Sequence, residues 1–130
     1  MATSSLDVCM YFITSQVLSE TIVRVHRKGV SVRVIADAEM ADGSGTQIPM
    51  LRKHGIPVRM KKSPFLMHHK FLVINKTILI SGSTNWTSAA FAGNWDNIIV
   101  TSVPALVMPF SQHFSQLWKE FSEMDHKLQV

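Results

Sequence analysis

Positions 68 to 85 read HHKFLVINKTILISGSTN and hold the side chains best suited to chemistry on a phosphate. Side chains alternate between the faces of a strand, so His68 and Lys70 point the same way and can meet one phosphate, while His69 points away. Asn75-Lys76 separates the apolar runs FLVI and TILI as a two-residue hairpin turn would, which returns Gly82-Ser83-Thr84-Asn85 to the side of His68. A phosphodiester is anionic and repels nucleophiles. Its cleavage therefore needs cations or donors on the oxygens, an attacking group and an acid for the leaving oxygen. Lys70 and Asn85 meet the first need, with Ser83 as a further donor. Imidazoles are largely neutral near pH 7, which lets His68 attack phosphorus. His26, His54, His113 and His126 lack a matching neighbour. A two-fold dimer, in which His68 of each subunit meets across one cleft, supplies the missing acid most simply.

The spacing is specific. His-x-Lys, four residues, an acidic position, six residues and Gly-Ser-x-Asn is the signature of the phospholipase D superfamily, which the chain resembles at every fixed position but Asn75, where the family has Asp. Asp96, in Gly93-Asn94-Trp95-Asp96-Asn97, matches the downstream acid that in the family's small nucleases orients the catalytic histidine. The words DVCMY at 7–11, GVSVRVIAD at 29–37, MHHKFLVI at 67–74 and GSTNWTSAAF at 82–91 resemble the single-motif branch called Zucchini, or mitochondrial cardiolipin hydrolase.

That resemblance implies a phospholipase D-like half-domain pairing as a homodimer, with a phosphohistidine intermediate released by water and no metal or other cofactor. It implies endonucleolytic processing of single-stranded piRNA precursors, leaving 5′-phosphates. The same relatives are named for hydrolysing cardiolipin to phosphatidic acid, and a relative altered at Asn75 that binds RNA without cutting is a third reading. The resemblance to that branch implies a place on the cytosolic face of the mitochondrial outer membrane. Members of the branch carry an N-terminal anchor, a zinc-binding insertion and a first strand and helix ahead of the DVCMY-like strand; residues 1–130 are expected to form one catalytic domain without them.

Asn tolerates positive φ and suits the hairpin turn, so the turn should survive the loss of Asp. If the family's Asp braces the loop, the exchange is near neutral; if its charge holds local cations, activity falls. Asp96 is expected to fix the tautomer of His68. His69 reads as structural, since adjacent strand residues face opposite ways and no HExxH or third metal ligand appears. Arg52, Lys53, Arg59, Lys61 and Lys62 precede the site and can line a groove for nucleic-acid phosphates or, equally, meet anionic lipid headgroups. Phe65 can stack on a base, whereas Trp86 reads as packed.

These side chains need a scaffold. A hydrophobic fraction of 46% against 17% charged residues in 130 is that of one globular domain. A net charge of +4 favours polyanions only weakly. Cys9, the only cysteine, excludes an internal disulfide, and its apolar run VCMYF places it in a buried strand. The most apolar stretch, Ile98 to Phe110, falls short of the roughly 20 residues a membrane span needs. The patterning predicts strands over Leu6–Ile13, Val30–Ala36, Ile56–Met60 and Asn97–Thr101 besides the hairpin. It predicts helices over Ser15–Lys28, Gly45–His54, Thr84–Ala92 and Pro104–Met124. The last helix carries an apolar stripe of Ala105, Leu106, Phe110, Phe114, Leu117, Trp118 and Phe121. Helices covering a mixed sheet make an α/β layered domain.

Overall fold

Six strands share one sheet in the order β3-β2-β1-β4-β5-β6. The computed structural model describes the backbone of residues 2–128 and the side chains of 2–121; the side chain of His126 lies outside them. The strands are β1 (Ser5–Met10), β2 (Ser31–Ala36), β3 (Val58–Arg59), β4 (Lys70–Ile74), β5 (Ile78–Gly82) and β6 (Ile98–Thr101). β1, β2 and β3 run parallel, joined by helical crossovers, and β4, β5 and β6 continue antiparallel. The sheet is mixed, as the alternation of strand and helix predicts.

Helix α1 (Gln16–Arg27) starts where the Ser15 side chain accepts from the Leu18 amide, and it stops at Gly29, whose φ is +89°. With α3 (Ile48–Lys53) it covers the face that carries Val8 and Val34, where Leu51 of α3 packs in the same buried cluster. The long helix α5 (Pro104–Leu128) covers the other face, where Cys9, Ile35, Phe71 and Val73 meet Phe114. Its buried stripe runs Val107, Phe114, Phe121, flanked by Phe110, Leu117 and Trp118; Ala105 and Leu106, expected in the stripe, are exposed. Asp7, 1% exposed, accepts two hydrogen bonds of 2.8 Å from Arg33, whose guanidinium lies 5.0 Å from the Phe114 ring. A buried carboxylate held this way has its charge compensated at both oxygens.

Three differences from the expected elements have a clear local reason; besides them, the third helix begins at Ile48 rather than Gly45, β3 keeps only Val58–Arg59 of the expected Ile56–Met60, and α5 runs to Leu128 rather than Met124. A short helix α2 (Ala38–Ala41) follows β2, capped by Asp37, whose carboxylate accepts from the Glu39 and Met40 amides. Helix α4 (Ser88–Ala92) begins at Ser88 rather than Thr84, because Trp86 is tied to the 12–15 segment: its amide donates to the Phe12 carbonyl, and its carbonyl accepts from the Thr14 and Ser15 amides. The first strand ends at Met10, leaving Ile13 a single bridge to Trp86.

At the β4–β5 turn both Asn75 (φ 53°) and Lys76 (φ 56°) are left-handed, the conformation a two-residue hairpin needs. The Asn75 side-chain oxygen accepts from the Thr3 and Ser4 amides at 3.0 and 2.9 Å, and from the Ser4 hydroxyl at 3.0 Å. At the opposite edge, β6 is exposed on both faces: Ile98, Ile99 and Val100 are 51%, 63% and 65% accessible.

Candidate active site

His68 precedes β4 at the end of the sheet where β1 finishes. Met10 stands opposite Lys70, and the Tyr11 amide donates to the His69 carbonyl at 2.9 Å. Lys70 Nζ lies 3.5 and 3.4 Å from the Nδ1 and Nε2 atoms of His68, and donates to the His68 carbonyl at 3.0 Å. Tyr11 meets the His68 ring edge-on, centroids 4.6 Å apart, and its ring centroid lies 5.2 Å from the Lys70 ammonium. Partial burial lowers the Lys70 pKa from the ordinary lysine value, and the Asp96 carboxylate opposes that shift. An imidazole and a cation thus stand within reach of one phosphate.

The hairpin brings the second half of the motif alongside. Phe71 pairs with Ser81, and that register sets Gly82 across from Lys70. The Ser83 hydroxyl donates to Asp96 Oδ1 at 2.7 Å and accepts from the Asn97 amide at 3.1 Å; the Ser83 amide donates to the Asn97 carbonyl at 3.0 Å. A Cβ on Gly82 would stand 1.8 Å from the Asn97 carbonyl oxygen, so only glycine lets β6 approach this closely. Asn85 sits between the buried Thr84 and Trp86, and its side-chain oxygen is buried with no donor among the described groups.

The structure therefore gathers His68, Lys70, Ser83, Asn85 and Asp96 at one end of the sheet, but seats Asp96 against Ser83 rather than in the expected contact with His68. Two residues that the sequence reading passed over hold the histidine's surroundings. Tyr11 packs on the ring, and the second oxygen of Asp37 accepts from the Met67 amide at 2.8 Å, pinning the segment that carries His68. An Asp directly after a predicted strand is an N-cap signal, and that is how Asp37 could have been found.

The basic residues do not line one groove. Arg59 donates to the Trp118 carbonyl at 2.7 Å with its guanidinium 4.0 Å from the Trp118 ring centroid, so it packs α5 on the sheet. Arg52 donates to the Val58 carbonyl and, with Lys53, closes α3 at the end of the sheet remote from His68. Lys62 and Phe65 are exposed, and Lys61 pairs with Glu120 at 2.6 Å. Phe65 and Lys61 border a cleft of about 540 Å³ between the 61–69 segment and α5. His69 and His113 meet there, their Nε2 atoms 3.1 Å apart. Among the described residues no three His, Cys, Asp or Glu side chains converge as a metal-binding group, and no helix is long and apolar enough to cross a membrane.

Known proteins share both the sequence and the shape. A mitochondrial cardiolipin hydrolase of Chlamydomonas reinhardtii is 42% identical over 120 residues, covering 92% of this chain and 54% of that protein. One of Danio rerio is 42% identical over 129 residues, covering 98% of this chain and 57% of that protein. The chain thus spans about half the length of these curated relatives. Nuc from Salmonella typhimurium, a phospholipase D family member, superimposes with a TM-score of 0.83 at 27% identity, over 91% of this chain and 80% of that one. Residues 1–118 match the family described as cardiolipin synthase, PLD-like domain. With that match laid over the His68–Lys70 strand and the Gly82–Asn85 turn, the chain belongs to the phospholipase D-like family.

Proposed function

We propose that the chain is a phosphodiesterase that acts as a two-fold dimer on single-stranded RNA through a phosphohistidine. The observation that carries this reading is the convergence of His68 and Lys70 on one strand end beside the Gly-Ser-x-Asn turn. An imidazole nitrogen of His68 attacks phosphorus and forms an N–P bond as the P–O bond to the leaving group breaks. The leaving oxygen takes its proton from His68 of the partner subunit, which enters as imidazolium. Water then attacks the phosphohistidine, gives its proton to the partner's His68, and releases a phosphomonoester and the free imidazole. Lys70 and Asn85 stabilise the charge on the phosphoryl oxygens. Asp96 acts here through Ser83 and through its charge near Lys70, not through His68.

The dimer is supported by the apolar band beside the site. Trp95, Ile98, Ile99 and Val100 are all exposed along the edge strand β6 and the residues before it, and an apolar edge left open is a template for pairing with a second copy. The RNA is piRNA-precursor-like in this reading, and the setting is mitochondrial, the one part of it that the relatives' names carry. A second reading, hydrolysis of cardiolipin, is favoured by those names and by the exposed Phe65 and Leu66 next to His68.

The deciding experiment incubates the chain with labelled single-stranded RNA in EDTA, beside cardiolipin vesicles and a His68→Ala control, while recording its mass in solution. Cleavage by a dimer, lost in the variant, is expected. Turnover of cardiolipin alone would transfer the assignment to the lipid, and RNA binding without turnover of either would leave a non-catalytic binder.

A further inference from the structure

The cleft between the 61–69 segment and α5 lies on the face of β4 opposite Lys70, yet His68 borders it. A group seated there can belong to the same diester that reaches His68. At about 540 Å³ the cleft has the size of a small-ligand pocket. Its wall is apolar at Leu117 and Phe121, and the Phe65 ring stands 84% exposed beside it.

Set into that wall are His69 and His113, with Nε2 atoms 3.1 Å apart and rings inclined at 76°. Two imidazoles facing each other through Nε2 at this distance share one hydrogen. One ring is then left with an accepting Nδ1 and the other with a donating Nδ1. Burial, followed by the neighbouring His113, Lys70 and His68, lowers the His69 pKa from the ordinary histidine value, which favours the neutral form of His69. Lys61 adds an ion pair with Glu120 at the rim.

The chemistry of this wall discriminates between ligands. An acyl chain laid against it would strip two imidazoles and an ion pair of water and return no hydrogen bond. A nucleobase offers a π-face to Phe65 and both donors and acceptors along its edge. We propose that the cleft is a nucleobase subsite, in which Phe65 is the stacking face and the His69–His113 pair meets the edge of the base. The proposal rests on the phosphodiesterase reading above and deepens it, assigning nucleotide diesters rather than acyl-bearing ones.

Binding separates this proposal from turnover. In a His68→Ala background the full chain is titrated, by fluorescence anisotropy, against a labelled single-stranded oligoribonucleotide and against an abasic strand of the same length. The base-bearing strand is expected to bind about tenfold more tightly, the scale of one stacked base. Phe65→Ala and His113→Phe should each bring the two affinities towards equality, and Phe65→Trp should keep them apart. Phe65 is exposed, so its replacement does not threaten the fold. Equal affinities in the parent, or a difference untouched by both variants, would overturn the subsite. So would cardiolipin vesicles displacing the base-bearing strand. If wild-type protein fails to cut RNA while the preference persists, the endonuclease reading fails and the subsite stands.

Discussion

At the scale of single residues, Asn75 separates two meanings of one substitution. Five strand steps of about 3.3 Å put it roughly 16 Å from Lys70, and its side chain is engaged with residues 3–5. A charge there has no short path to the phosphate. Asn75→Asp should keep the acceptor and the left-handed turn, leaving turnover within about twofold and stability within about 1 kcal/mol. Asn75→Ala should cost about 1–2 kcal/mol in denaturant unfolding, because the amides at 3 and 4 lose their acceptor. A large gain in activity for Asn75→Asp would return the charge to the mechanism. Lys70 carries a pH prediction. Its pKa is lowered, so the ammonium is lost earlier as pH rises than from an ordinary lysine, and KM for a diester should climb on the alkaline side before the lysine range. Lys70→Arg should move that limb upward, and a limb unmoved by the exchange would acquit Lys70 of binding the phosphate.

The types and spacing of His68, Lys70, Ser83 and Asn85 were legible in the sequence because strand alternation and a two-residue turn are local rules. The Ser83–Asp96 bond and the His69–His113 pair were not, since each joins residues brought together only by the packing of β6 or α5. The same holds for Arg59, whose neighbours in sequence suggest a basic groove but whose partner in space is Trp118.

Among the elements, α1 and the hairpin were readable from periodicity and capping, while α2 was missed because four residues leave no periodic signal. The start of α4 was set by the tie between Trp86 and the 12–15 segment, a contact more than seventy residues apart along the chain. The β5–β6 pairing holds the most exacting position. With Asn97 so close, Gly82→Ala forces backbone apart rather than a side chain aside. It should cost about 1–3 kcal/mol and lower Tm by roughly 5–10 °C, and turnover should fall further than stability because Ser83 and Asp96 move with β6. A thermal scan and a rate assay on one preparation check this; an unchanged melting temperature would show that β6 gives way freely.

For the whole molecule, the exposed edge of β6 is the open question of assembly. An edge strand with accessible Ile98, Ile99 and Val100 is a template for pairing or aggregation unless something covers it. Adjacent strand residues face opposite ways, so Ile99→Glu and Val100→Glu probe the two faces of β6 separately. At least one should shift the sedimenting species from dimer to monomer and abolish RNA cleavage together with it. Dimers that persist in both variants would place the interface elsewhere.

The bond from Ser83 to Asp96 joins the last turn of the motif to the first residues before that edge. In the proposed dimer, order in the reaction centre and burial of the edge would be one thermodynamic event: a subunit that finds its twin would also tighten its own chemistry. Dilution would not merely separate two half-sites. It would loosen each of them, so the protein's own concentration would set how much working catalyst is present.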